Sequence, residues 1–121
     1  MAMPRVGLTY EDYAALPDDG RRYEIHDGEL SVTPSPNVAH QRVSANLSDV
    51  LRAHVKATGI GEVFYAPLDV ILDRRTVVQP DIIFMAAAHA SRISDRGIEG
   101  APTMRARARS KSTSWSGRRT G

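Results

Sequence analysis

Val43, Leu47, Val50, Leu51 and Val55 recur at intervals of three and four. That spacing puts side chains on one helical face and predicts a long helix ending near residue 58, stopped by Gly59-Ile60-Gly61. A shorter helix is predicted from Tyr10 to Leu16, because Thr9 can cap it and Asp12, three residues on, can reach back to Thr9. Pro17-Asp18-Asp19-Gly20 closes that helix in a turn. Arg22–His26 and Glu29–Thr33 alternate in polarity around Asp27-Gly28, a strong hairpin signal. Pro34-Ser35-Pro36-Asn37 reads as a loop. Glu62–Ala66 and Leu68–Leu72 read as one long strand broken at Pro67, followed by a turn at Asp73–Thr76 into Val77-Val78. Ile82–Met85 is a near-continuous apolar run and predicts a strand buried on both faces, with a short helix over residues 86–92.

The predicted order is helix, hairpin, long helix, long bent strand, strand, which makes a mixed α/β fold. Its sheet looks unfinished, because Leu68, Val70, Leu72 and the Ile82–Met85 run all need neighbours on both sides. Charge divides the chain. Residues 1–102 carry all 14 acidic residues and 10 of the 16 Lys and Arg; residues 103–121 carry six bases and no acid. The last segment has no evident apolar period and reads as a basic, disordered tail outside the folded part. The basic balance therefore says nothing about a nucleic-acid groove on the body. A hydrophobic content of 41% suffices for one core. The absence of cysteine excludes disulfides and zinc–thiolate sites and fits a cytoplasmic location. No apolar run approaches membrane-span length, and no leader pattern is visible.

Gln79-Pro80-Asp81 then changes the picture, because it sets a lone carboxylate at the mouth of the apolar Ile82–Met85 strand. An acid at that point can meet solvent and a cation while the strand behind it is buried. Three other stretches keep the same order as in a known family: Thr9–Leu30, Thr33–Pro36 near His40-Gln41-Arg42, and Gly61–Val70. With Val77–Phe84 they make the chain similar to the Uma-two family, restriction-endonuclease-like proteins of the PD-(D/E)XK nuclease superfamily. The resemblance runs from about Leu8 to Gly100-Ala101-Pro102. It implies a restriction-endonuclease-like mixed sheet flanked by helices, a divalent metal (usually magnesium), and phosphodiester hydrolysis in DNA. In the family, Gly-Ala-Pro leads into an apolar strand bearing a glutamate, with a basic residue and further elements later. Here Pro102 leads into the Arg-rich segment, so residues 1–102 are expected to be a C-terminally truncated endonuclease domain and 103–121 an aberrant tail.

Magnesium takes oxygen ligands in near-octahedral geometry, so such a site needs two or three carboxylates. A lysine beside them commonly orients the attacking water. No Asp or Glu in this chain has a lysine two residues later; the only lysines are Lys56 and Lys111. The resemblance makes Asp81 the metal ligand, with Glu24 as a second acid and His40 as a contact to phosphate or metal-bound water. Read without it, Asp81 is a solvated strand-edge acid, Glu24 an outward-facing strand residue and His40 a local hydrogen-bonding group. Glu29 reads as solvated and Asp69 as a structural hydrogen-bonding residue. Tyr10, Tyr13, Tyr23 and Tyr65 read as packing residues rather than base-stacking platforms. Three readings stay open: a magnesium-dependent DNA endonuclease impaired by the missing carboxylate and lysine, a non-catalytic DNA-binding or assembly remnant, or a frameshifted product. The open edge beside Ile82–Met85 is expected to invite a homodimer or pairing with a homologue.

Overall fold

The computed structural model describes residues 7–33, 37–108 and 113–117. The expected loop at Pro34-Ser35-Pro36 lies outside the described residues, as do residues 109–112 and 118–121 of the basic segment. The fold is mixed α/β of the restriction-endonuclease-like kind, with a six-stranded and a four-stranded sheet.

Helix α1 (Tyr10–Ala14) starts as predicted: the Thr9 N–H donates to Asp12 Oδ2 at 2.9 Å. Strands β1 (Arg22–His26) and β2 (Glu29–Thr33) pair antiparallel with Ile25 opposite Leu30. Asp27 and Gly28 both have positive φ, at 49° and 86°, which is the turn geometry that fits the twist of a two-residue hairpin. Helix α2 (Val38–Thr58) begins at Asn37, whose side chain accepts from the His40 N–H, and ends at the left-handed Gly59. Then follow β3 (Gly61–Tyr65), β4 (Val70–Asp73), β5 (Thr76–Val78) and β6 (Ile82–Ala86). A 3-10 helix spans Ala87–Arg92, leading to the short hairpin β7 (Ile93–Ser94) and β8 (Gly97–Glu99). The last strands are β9 (Met104–Ala108) and β10 (Thr113–Gly117).

The larger sheet runs β2-β1-β5-β4-β8-β7, antiparallel except for the parallel β4–β8 pair. The smaller runs β10-β9-β6-β3, antiparallel throughout. The stretch expected to be one bent strand is therefore two strands in two sheets, β3 and β4, separated around Pro67.

The strand period of two explains how the layers join. Val70 and Val78 turn one way and pack with Ile83, Met85 and Ile98, joining the two sheets face to face. Ile71 and Val77, the adjacent residues, turn the other way and pack with Ile25 and Tyr13 of α1. Val63, Ile82 and Phe84, on the far face of the smaller sheet, line one apolar pocket with Leu51 and Val55 of α2, which packs on β3 and β9. The order of layers is α1, larger sheet, smaller sheet, α2. Val50 departs from the predicted apolar face of α2: it is 67% exposed, while Val55 and the polar Ser48 are buried. The helix rests on a narrow sheet and uses a narrower stripe than its sequence offers.

Two expectations about the chain beyond Pro102 need correction. Met104–Ala108 is a strand, pairing Ile82 with Ala106, Ile83 with Arg105 and Phe84 with Met104. Thr103 is also held, its hydroxyl accepting from the Ala86 N–H at 2.9 Å. The disorder expected from residue 103 therefore does not apply to these residues. The cause is a period of two missed in the sequence: Met104, Ala106 and Ala108 alternate with Arg105 and Arg107, and the small Ala106 fits at 2% exposure. Strand β9 in turn covers the edge of β6 that was expected to be open, so that edge is not free to pair with a second copy.

Candidate active site

Residues 79–81 cross from β5 in the larger sheet to β6 in the smaller, and both sheets grip them. The Ala66 N–H donates to the Asp81 carbonyl and the Asp81 N–H to the Ala106 carbonyl, each at 2.9 Å. From the larger sheet, Glu24 Oε2 accepts from the Gln79 N–H at 2.6 Å. The Gln79 side chain donates to Asp69 Oδ1 at 2.8 Å.

This grip sets Asp81 at the junction, 2% exposed. Its Oδ1 accepts from Arg22 Nη1 at 2.7 Å and from His40 Nε2 at 3.1 Å. The carboxylate oxygen can only accept, so the contact calls for the tautomer with hydrogen on Nε2. Arg22 comes from the first position of β1 and His40 from the first turn of α2, fixed there by the Asn37 cap. Removing Asp81 takes the carboxylate from a largely buried guanidinium, at a cost of about 3–5 kcal/mol. Asp81 and His40, picked out by the resemblance, are thus brought into contact.

Glu24 is the second candidate acid, 4% exposed. It shares a face of β1 with Arg22 and His26, because alternate residues point the same way. Its Oε1 lies 3.2 Å from His26 Nε2, and its Oε2 accepts from Arg107 of β9 as well as from the Gln79 N–H. Glu24 is therefore a buried, paired residue rather than an outward-facing one. Asp69 is structural, as expected, accepting from the Tyr13 hydroxyl at 2.6 Å and from Gln79. Burial first, and then the bond to Asp69, raise the Tyr13 phenol far above the usual tyrosine range. Glu29 is exposed, as expected.

In front of Asp81 opens a cleft of about 620 Å³, with His40, Arg22 and Gln79 also in its wall. Arg21, Arg52 and Tyr65 also line it. Tyr65 departs from the packing role expected for it: it is 56% exposed, and the Arg52 guanidinium lies 5.7 Å from its ring centroid. Glu24 is not among the lining residues.

The donor set does not suit a divalent cation. Among the described residues no three His, Cys, Asp or Glu side chains converge as a metal site. Each candidate acid already holds a guanidinium, Arg22 on Asp81 and Arg107 on Glu24. Both arginines escaped the sequence reading because the pairs are 59 and 83 residues apart. The available signals were the two-residue step from Arg22 to Glu24 and the Arg–Ala alternation ending at Arg107.

The sequence profile of the family called Uma2, described as putative restriction endonuclease, matches residues 10–120. The chain belongs to the Uma2 family. The match takes in α1, the whole junction around Asp81 and β9, and passes beyond Pro102, where the resemblance was expected to stop. Membership gives this Uma2 chain a nuclease reading at a coarse level, and restriction-endonuclease-like families generally use a divalent metal. No curated protein matches the Uma2 chain. No helix among its described residues is long and apolar enough to cross a membrane.

Proposed function

We propose that this chain acts on DNA through the cleft in front of Asp81, and that metal-dependent phosphodiester hydrolysis there is strongly impaired. Asp81 and Glu24 are the acids of the metal site in this reading, and His40 is the group that meets the phosphate. The observation that carries it is the pairing of each acid with an arginine, Asp81 with Arg22 and Glu24 with Arg107. An acid neutralised by a fixed guanidinium is a poor ligand for a cation that wants several charged oxygens. Arginine stays protonated, so neither residue replaces the missing lysine as a base toward water.

What remains suits binding better than turnover. Exposed Arg21 and Arg52 can meet phosphate oxygens, and the Tyr65 ring offers a face for a base. The same observation favours a second reading, a non-catalytic DNA-binding protein, which differs from the first only in having no residual hydrolysis.

The test pairs two measurements on the full chain. Polarisation titrations with labelled duplex and single-stranded oligonucleotides should give affinity that weakens as salt rises, and Arg52→Ala should weaken it further with a shallower salt slope. Plasmid nicking with magnesium or manganese should be slow, and lost in Asp81→Asn. Nicking that persists unchanged in Asp81→Asn rejects Asp81 as part of the site. Fast turnover by the unaltered chain rejects the impairment, and no affinity for either DNA rejects the nucleic-acid reading.

A further inference from the structure

Tyr65 ends β3, and its register partner on β6 is Ile82, the residue after Asp81. The next residue, Ala66, donates its N–H to the Asp81 carbonyl. Tyr65 is thus anchored within one residue step of the candidate acid, and both line the same cleft. The ring is 56% exposed, and the Arg52 guanidinium from α2 lies 5.7 Å from its centroid. An exposed tyrosine alone means little. An aromatic face paired with a cation inside a cleft is the combination that holds single strands.

Charge decides between the two forms of DNA. The cleft is lined by three arginines (Arg21, Arg22 and Arg52) and three aspartates (Asp18, Asp49 and Asp81), so its formal charges cancel. Duplex DNA presents mainly phosphates, and affinity for it comes mainly from cations that displace condensed counterions. A cleft without net positive charge gains little that way. Stacking needs no net charge, but it needs a base with an open face. In a duplex both faces of a base are covered, and opening one means flipping the base out at an unstacking cost. The cleft, about 620 Å³, is of the size that encloses a small ligand, which suits a short stretch of single strand better than a whole duplex.

We propose that Tyr65 is the specificity-determining residue of the cleft, stacking on an unpaired base so that single-stranded DNA is taken in preference to duplex. This rests on the DNA reading of the cleft and deepens it.

The experiment titrates the full chain with three labelled oligonucleotides of one length: a single strand, the duplex, and a strand of abasic sugar–phosphate units. The single strand should bind at least about fivefold more tightly than the duplex, since one stacked base contributes that much or more. The abasic strand should lose this advantage. Tyr65→Ala should lower the single-strand affinity to that of the duplex and leave the duplex affinity unchanged. Tyr65→Phe, which keeps the ring, should retain the preference. Tyr65→Leu keeps apolar bulk without a ring and gives the same reading should Tyr65→Ala fail to fold. Equal affinity for single strand and duplex overturns the inference and leaves the DNA reading standing. So does an abasic strand bound as well as the ordinary one, or a preference that survives in a folded variant without the ring. No affinity for any of the three overturns both.

Discussion

Glu24, Gln79 and Asp69 form one hydrogen-bonded set, the Gln79 N–H donating to Glu24 and its side chain to Asp69, while Asp81 is held separately by Arg22 and His40. Tyr13 caps one end of that set and supplies its clearest pH dependence. Its phenol keeps its proton in the folded protein well past the point where an unfolded tyrosine ionises, near pH 10. Above that pH the unfolded state binds fewer protons than the folded one, so folding costs more with each step upward. The loss should be about 1.4 kcal/mol per pH unit from this residue, with the contribution fully present below pH 10. Chemical denaturation between pH 9 and 11 should show Tyr13→Phe losing stability less steeply than the unaltered chain, and equal slopes would reject the assignment. At this scale the sequence disclosed the acids but not their partners. Asp81 is marked by the apolar strand that follows it and His40 by its place at a helix start. Arg22 and Arg107 look like ordinary solvated bases until folding brings them to Asp81 and Glu24.

Single elements were the most legible part, because their causes are local. Asp27-Gly28 dictates its hairpin and Gly59 its helix end, each through a backbone conformation few other residues accept. Strands β7 and β8 gave no such signal, being two and three residues long and held mostly by their neighbours. Gly97 shows how close that hold is: a Cβ there would sit 2.2 Å from the Asp69 carbonyl oxygen, on a backbone with φ at 128°. Ile98 must donate to the same carbonyl for the parallel β4–β8 pair to form. Gly97→Ala should cost at least about 1–3 kcal/mol from the backbone conformation alone. Because Asp69 also anchors Gln79, the same variant should weaken the hold on the junction. Urea unfolding measures the first effect, and an unchanged midpoint would show that β8 can shift away without penalty.

Across the whole molecule the difficulty was counting sheets. Val70 and Ile71 are both buried, which announces a two-faced strand but not what lies on each face; only the packing assigns one to the second sheet and the other to α1. The Arg-rich segment hides its strand for a related reason: its composition masks the alternation of Met104, Ala106 and Ala108 with arginine that the edge of β6 takes up. That edge makes a direct prediction. Deleting residues 103–121 removes β9 and leaves β6 with unpaired backbone groups along a very apolar strand. Sedimentation velocity should find the shortened chain associating where the full chain does not. A monomeric shortened chain with an unchanged thermal midpoint would show β9 to be dispensable.

The junction at residues 79–81 also gives the molecule an internal clock. The amides of Gln79 and Asp81 are bonded to opposite sheets, one to Glu24 and the other to Ala106. The Asp81 amide exchanges its hydrogen with solvent when its bond to β9 opens, and the Gln79 amide when the Glu24 side chain on β1 releases it. If the sheets open together, the two amides exchange at one free energy; if one opens first, its amide exchanges sooner. Two neighbouring resonances therefore record the order in which the two halves of the fold come apart.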